Sequence, residues 1–201
     1  MNSHLNIIAI AWKYMSEINL LFVRHGQASA SWENHLDPGL SEIGKDQAKN
    51  LTSNKKLPNL SDYDFLSSPK LRAIETSKPL AEKYRKEVVI DESFIEIPSS
   101  NIELNQKQEW LKNIIKMKKK DLPMFIQQWQ KNILLKISNI KRDTIIFTHF
   151  MVINSVVSDF VKADSIVHFF PDYTSITKVV LENGYIKDCK IGGNQKTDIN
   201  L

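Results

Sequence analysis

The chain has 201 residues, 42% hydrophobic and 25% charged, with a net charge of +4 and a single cysteine. This balance excludes a wholly disordered or collagen-like chain, and Cys189 alone can form neither an intrachain disulfide nor a cysteine-rich zinc site. No apolar run approaches the ~20 residues of a membrane span, so one domain over residues 1–201 in a reducing, cytoplasmic setting is expected.

Residues 1–17 read as an N-terminal extension, too short and too poorly flanked by charge to be a convincing signal peptide. Ile18 to Val23 is a short apolar run ended by Arg24-His25-Gly26, the pattern of a buried strand running into a loop. Asp37-Pro38-Gly39 is turn chemistry, and Ser41 fits the N-cap of a helix reaching about Leu51. Tyr63 to Leu66 reads as a second strand. Ser68 with Pro69 then suggests a helix start, with Arg72 in the first turn and Pro79 expected to kink or split the helix. Val88 to Ile90 is a third strand.

Residues 97–140 change character and read as a helical insertion, a cap over the site. Apolar residues recur at helical spacing, Trp110, Ile114 and Met117, then Phe125, Trp129 and Ile133, and are expected to form its packing face. The lysine run 116–120 is expected to be the solvated face of a helix. Thr144 to Thr148 is a strand ending at His149, and a helix follows from about Val152 to Phe160. A hairpin of Ser175–Leu181 and Tyr185–Ile191, turning at Asn183-Gly184, closes the chain. Strands alternating with helices imply an α/β sandwich around a largely parallel sheet.

Sites on such sheets form beyond the carboxyl ends of the strands. Arg24 and His25 end the first strand, Ser68 and Arg72 follow the second, and His149 ends a later one. The chain has 23 lysines and only four arginines, Arg24, Arg72, Arg85 and Arg142. A sequence so biased to lysine keeps arginine where a planar, two-pronged contact to an oxyanion is needed. Two histidines, two arginines and two helix N-termini converging on one crevice make a pocket for a dianionic phosphoryl group. One histidine nitrogen can attack phosphorus while the other donates a hydrogen bond. His4, His35 and His168 read as surface or packing residues.

Four blocks carry a resemblance: Leu21–Ser29, Asp37–Gly44 with Gln47-Ala48, Leu66–Ala73 with Glu75-Thr76, and Ile145–His149. In this order and spacing the chain resembles the histidine phosphatase superfamily, which includes the cofactor-dependent phosphoglycerate mutases. The resemblance implies a three-layer α/β/α sandwich with a mostly parallel mixed sheet. It implies that His25 is the nucleophile, that Arg24, Arg72 and His149 bind the phosphoryl oxygens, and that Glu96 is the proton donor. Asp91, Glu92 and Glu103 are nearby alternatives to Glu96. No metal and no cofactor are implied. Ser31 stands where many members carry Asn, and Phe150 where Gly commonly follows the second histidine.

The expected reaction is therefore hydrolysis of a phosphomonoester through a phosphohistidine, with a small phosphorylated substrate as the partner and neither nucleic acid nor membrane. A mutase-type phosphoryl transfer, a phosphohistidine-protein phosphatase and a non-catalytic phosphate-binding protein are the alternatives. The substrate and the oligomeric state are not legible in the sequence.

Overall fold

The first strand, β1 (Ile18–Arg24), is apolar on both faces because both faces are covered. Side chains alternate across a strand. Leu20 and Phe22 enter one hydrophobic cluster, and Leu21 and Val23 enter another on the opposite side of the sheet. The computed structural model describes residues 17–31, 36–99 and 101–193. Residues 1–16 of the 1–17 extension, His4 among them, and His35 lie outside them.

Five further strands complete the sheet: β2 (Asp64–Ser67), β3 (Val88–Ile90), β4 (Thr144–Thr148), β5 (Ile176–Glu182) and β6 (Tyr185–Lys190). Their spatial order is β3-β2-β4-β1-β5-β6. The first four of these lie parallel to one another, and β5 and β6 are added antiparallel. The hairpin turns where expected, with Asn183 and Gly184 both at positive φ, the backbone that a two-residue turn of matching twist requires.

One face of the sheet carries α1 (Glu42–Asn50) and α2 (Leu71–Tyr84). The other carries α4 (Met124–Ser138) and α5 (Phe150–Phe160), with α3 (Lys107–Lys116) beside them. The architecture is the expected mixed-sheet α/β sandwich. No helix among the described residues is long and apolar enough to cross a membrane.

Local departures from the expected elements have physical causes. Ser41 caps α1 as anticipated, its Oγ accepting the Gly44 N–H at 3.0 Å. The next helix starts not at Ser68-Pro69 but at Leu71, and Lys70 at its N-cap makes no side-chain bond. The cap comes instead from across the fold, where both Asp37 carboxylate oxygens lie 3.2–3.3 Å from the Leu71 N–H. The helix also runs unbroken through Pro79. A proline removes a single backbone donor, and Thr76, Ser77, Leu80 and Ala81 are buried on either side of it.

In the segment 97–140, the buried stripe of α4 is Ile126, Trp129, Ile133 and Ile137, not Phe125, which is 49% exposed. These residues join Leu111 and Ile114 of α3 in the core formed with α5, so the two helices build a layer of the sandwich. The lysine run is not a helix face either. α3 stops at Lys116, and the half-buried Lys119 sends its Nζ to the Ser158 carbonyl at 2.8 Å.

The loop after β1 presses against the start of α1. A Cβ at Gly26 would lie 2.7 Å from the Gly44 carbonyl oxygen, and a Cβ at Gly44 would collide with the Gln27 carbonyl. Both obstacles are backbone, so neither can rotate away. Gly44→Ala should therefore destabilise the protein by about 1–3 kcal/mol, the scale of core overpacking, measured as a lowered urea midpoint. An unchanged midpoint would show that the two segments can part without cost.

Candidate active site

The site is assembled at the carboxyl ends of β1, β2 and β4. Parallel pairing sets Arg24 opposite Thr148 and Ser67 opposite Phe147, so the residues that follow these strands emerge side by side. The His25 N–H bonds the Thr148 carbonyl at 2.9 Å, and the Ser68 N–H bonds the Phe147 carbonyl at 2.9 Å. His25 and His149 consequently face one another, with ring centroids 5.2 Å apart.

Hydrogen bonding assigns the proton on the His25 imidazole. His25 Nδ1 lies 2.7 Å from the Gly26 carbonyl oxygen, which can only accept, so Nδ1 carries the hydrogen. Nε2 then keeps its lone pair, and the Arg72 Nε–H donates to it at 3.1 Å. His149 Nε2 lies 2.7 Å from Ser68 Oγ. That hydroxyl also accepts the Lys70 N–H at 3.3 Å. His149 Nδ1 is buried and has no hydrogen-bond partner among the described residues.

Electrostatics agree with two neutral rings. Burial, then the charges of Arg72 and Arg24, hold His25 well below the usual imidazole range. Burial, then Arg72 and His25, do the same to His149. Both guanidiniums are 2% exposed. Arg24 donates from Nη1 to the Pro171 carbonyl at 2.7 Å, and its guanidinium carbon lies 4.2 Å from the centre of the Tyr173 ring and 5.5 Å from that of Phe150. Phe150 thus packs on the arginine.

Glu96 is 8% exposed, and its Oε1 accepts the Ile97 N–H at 2.9 Å. Burial raises its carboxyl above the usual range, against the lowering pull of the Ile97 N–H and of Arg72 and Arg24. The alternatives lie apart from this arrangement. Asp91 pairs with Lys136 at 2.6 Å, and Glu92 and Glu103 are exposed. A cavity of about 450 Å3 has Arg72 and Glu96 in its wall, with Lys70, Lys107, Leu36 and residues 97–99 around them. A second cavity of about 730 Å3 shares Ile95, Pro98 and Ser99 with it and takes in Trp110, Phe125 and Trp129. No group of His, Cys, Asp or Glu able to hold a metal ion occurs among the described residues.

A family model for the histidine phosphatase superfamily (branch 1) matches residues 20–188. The chain belongs to this superfamily. Among solved structures, this superfamily member is similar to phosphoserine phosphatase from Entamoeba histolytica, crystallised with 3-phosphoglyceric acid. The two are 20% identical, with a TM-score of 0.69, covering 89% of this chain and 98% of that one. An Escherichia coli K-12 protein named as a candidate alpha-ribazole-5'-P phosphatase gives 17% identity and a TM-score of 0.69, over 89% and 97% of the two chains. A mycobacterial glucosyl-3-phosphoglycerate phosphatase gives 16% identity and a TM-score of 0.60, over 82% and 91%. A comparison with curated protein sequences finds no match.

The fold brings together all five residues singled out in the sequence, Arg24, His25, Arg72, Glu96 and His149, and leaves His168 exposed elsewhere. Sequence reasoning missed the residues that orient them. Ser68 was read as a helix cap and is the partner of His149. Thr76 accepts the Gly26 N–H at 3.0 Å and donates to the Arg72 carbonyl at 2.6 Å, tying the histidine loop to α2. Its place one turn after Arg72 on the same helix face is the signal that could have revealed it. Tyr173 comes from the loop before β5, which no local motif marks.

The two neutral histidines make stability depend on acid. Below about pH 6.5 the unfolded chain binds protons at both imidazoles that the folded chain refuses, so stability falls as the pH falls. Between pH 6.5 and 5, His25→Ala should lose stability less steeply than the parent, by up to about 1.4 kcal/mol per pH unit. Urea unfolding across that range measures it, and equal slopes would show that His25 is protonated in the folded state.

Proposed function

We propose that the protein hydrolyses phosphomonoesters through a phosphohistidine at His25, without a metal. The single observation that carries this reading is the Arg72 Nε–H resting on His25 Nε2. An imidazole nitrogen that accepts from a guanidinium is unprotonated and is already held beside the group that would receive the phosphoryl oxygens.

In the proposed reaction, Nε2 attacks phosphorus in line with the ester oxygen. A P–N bond forms and the P–O bond to the leaving group breaks. The developing imidazolium keeps its Nδ1–H on the Gly26 carbonyl, which stabilises the positive ring. Arg72 shifts from the nitrogen to the equatorial oxygens, joined by Arg24 and His149. Charge spread over those oxygens in a loose transition state is what fixed, buried donors stabilise best. Glu96, whose carboxyl burial pushes above the usual range, gives its proton to the leaving oxygen. As a carboxylate it then takes a proton from the water that attacks the phosphohistidine, and phosphate leaves with His25 neutral again. Dividing the reaction at a covalent intermediate replaces one difficult displacement with two easier ones.

Labelling with a radioactive phosphomonoester should trap a phosphoenzyme that is labile to acid and stable to base, as a phosphoramidate is. It should be absent from His25→Ala. A phosphoenzyme that still forms in that variant would remove His25 as the nucleophile.

Arg72→Lys should keep the charge but lose the fork, costing about 2–4 kcal/mol of transition-state stabilisation, the scale of one preorganised donor. The loss should appear in kcat more than in KM. The exposed Arg85 at the C-cap of α2 is the control, and Arg85→Lys should be near neutral. Retention of most activity by Arg72→Lys, with a normal circular dichroism spectrum, would mean that the two-pronged contact is not used.

A further inference from the structure

One segment beside the site is held in an unfavourable conformation. Residues 161–175 join α5 to β5, and the last four of them form a turn closed by the Ser175 N–H on the Asp172 carbonyl at 3.0 Å. Thr174, third in that turn, has φ 54°. Glycine or asparagine suits the left-handed region at this place, and a β-branched residue there is strained. Such strain persists only where the surroundings over-determine it.

Here the surroundings are Arg24 itself. The Thr174 N–H bonds the Arg24 carbonyl at 3.0 Å, and the Arg24 N–H bonds the Ser175 carbonyl at 3.2 Å. The guanidinium adds its bond from Nη1 to the Pro171 carbonyl at 2.7 Å. Further back, the fully buried Asn154 accepts the His168 and Phe169 N–H groups at 2.9 and 3.1 Å. The turn is thus fastened to the backbone and the side chain of one arginine.

What the turn delivers is Tyr173. Its ring centre lies 4.2 Å from the Arg24 guanidinium carbon and 6.1 Å from the centre of the His25 ring. An aromatic face attracts a cation through its quadrupole, most strongly where water is shut out, and Arg24 is buried. A carboxylate would also hold a guanidinium, but by occupying the N–H groups that a phosphoryl oxygen needs. A ring face holds the cation and leaves those groups available.

We propose that Tyr173 is a positioning residue for phosphoryl transfer, its ring fixing the Arg24 guanidinium in the orientation that meets the equatorial oxygens of the transition state. The proposal rests on the reading of His25 and Arg24 as a phosphoryl-transfer site. An arginine able to swing can still adjust to a phosphate ion. It serves a trigonal-bipyramidal array less well, because that array is stabilised by donors already in place.

The test uses p-nitrophenyl phosphate as substrate, with orthovanadate and inorganic phosphate as trigonal-bipyramidal and tetrahedral inhibitors. Tyr173→Leu should lower kcat about tenfold and raise the vanadate Ki by a similar factor, with KM and the phosphate Ki changed less than about threefold. Tyr173→Phe restores the ring without the hydroxyl and should recover most of that loss, to within about threefold of the parent. Tyr173→Met fills the space without a ring and should behave as the leucine variant does. It takes that variant's place if circular dichroism shows the leucine protein unfolded.

A phenylalanine variant as impaired as the leucine one would assign the effect to the hydroxyl and overturn the proposal. So would two Ki values that rise together, the mark of a loosened site, or an unchanged kcat in Tyr173→Leu. A parent that turns over neither p-nitrophenyl phosphate nor glycerol 1-phosphate fails the catalytic reading instead. Calorimetric Kd values for vanadate and phosphate, in the parent and the same variants, then judge Tyr173 by the same comparisons, and a parent that binds neither anion overturns both.

Discussion

A guanidinium N–H can rest on an imidazole nitrogen only while that nitrogen keeps its lone pair. The contact between Arg72 Nε and His25 Nε2 therefore demands a neutral ring in the middle of a cationic site. Everything around it serves that demand. Burial withholds the water that would stabilise an imidazolium, Arg24 and Arg72 repel the proton, and the Gly26 carbonyl occupies the other nitrogen's hydrogen. The result is a base that stays unprotonated where an exposed histidine would titrate, next to an acid, Glu96, that the same burial pushes the opposite way. One dielectric environment shifts an imidazole and a carboxyl in opposite directions.

Holding that contact falls to backbone and small side chains. Thr76 bonds both the histidine loop and the Arg72 carbonyl, so His25 and Arg72 share one anchor. Gly26 and Gly44 let the loop close on α1 at a distance that a side chain would forbid. Gln27 extends the brace, its N–H reaching Gln47 and its Oε1 accepting from Ser41. Trp129 bonds the Ile95 carbonyl, which links α4 to the stretch that carries Glu96. The sandwich thus supports Glu96 from one layer and Arg72 from the other.

Residues that act at the ends of strands could be read in the chain before any coordinates, because an apolar run followed by Arg-His-Gly leaves little choice about where those side chains emerge. The scarcity of arginine pointed the same way. What stayed hidden depends on contacts between distant segments. Nothing near Leu71 announces that Asp37 caps its helix from 34 residues away. Nothing near Tyr173 announces that it lies over Arg24. Helical spacing placed Phe125 and Trp129 on one face, but only packing decides where the edge of that face falls. Phe125 lies beyond it and Ile126 within. At Pro79 the helix is not split, and the flanking residues are buried on both sides.

The sheet order has a consequence for how the chain reaches this state. β1 lies between β4 and β5, and the Asn19 N–H finds its Asp143 carboxylate 124 residues later in the chain. Contacts of such separation slow folding, because a long loop must close before they return any stabilisation. During synthesis β1 is thus made before both of its partners and waits for them with both faces and both edges uncovered. The strand that presents His25 is in that interval the segment most in need of protection from other chains.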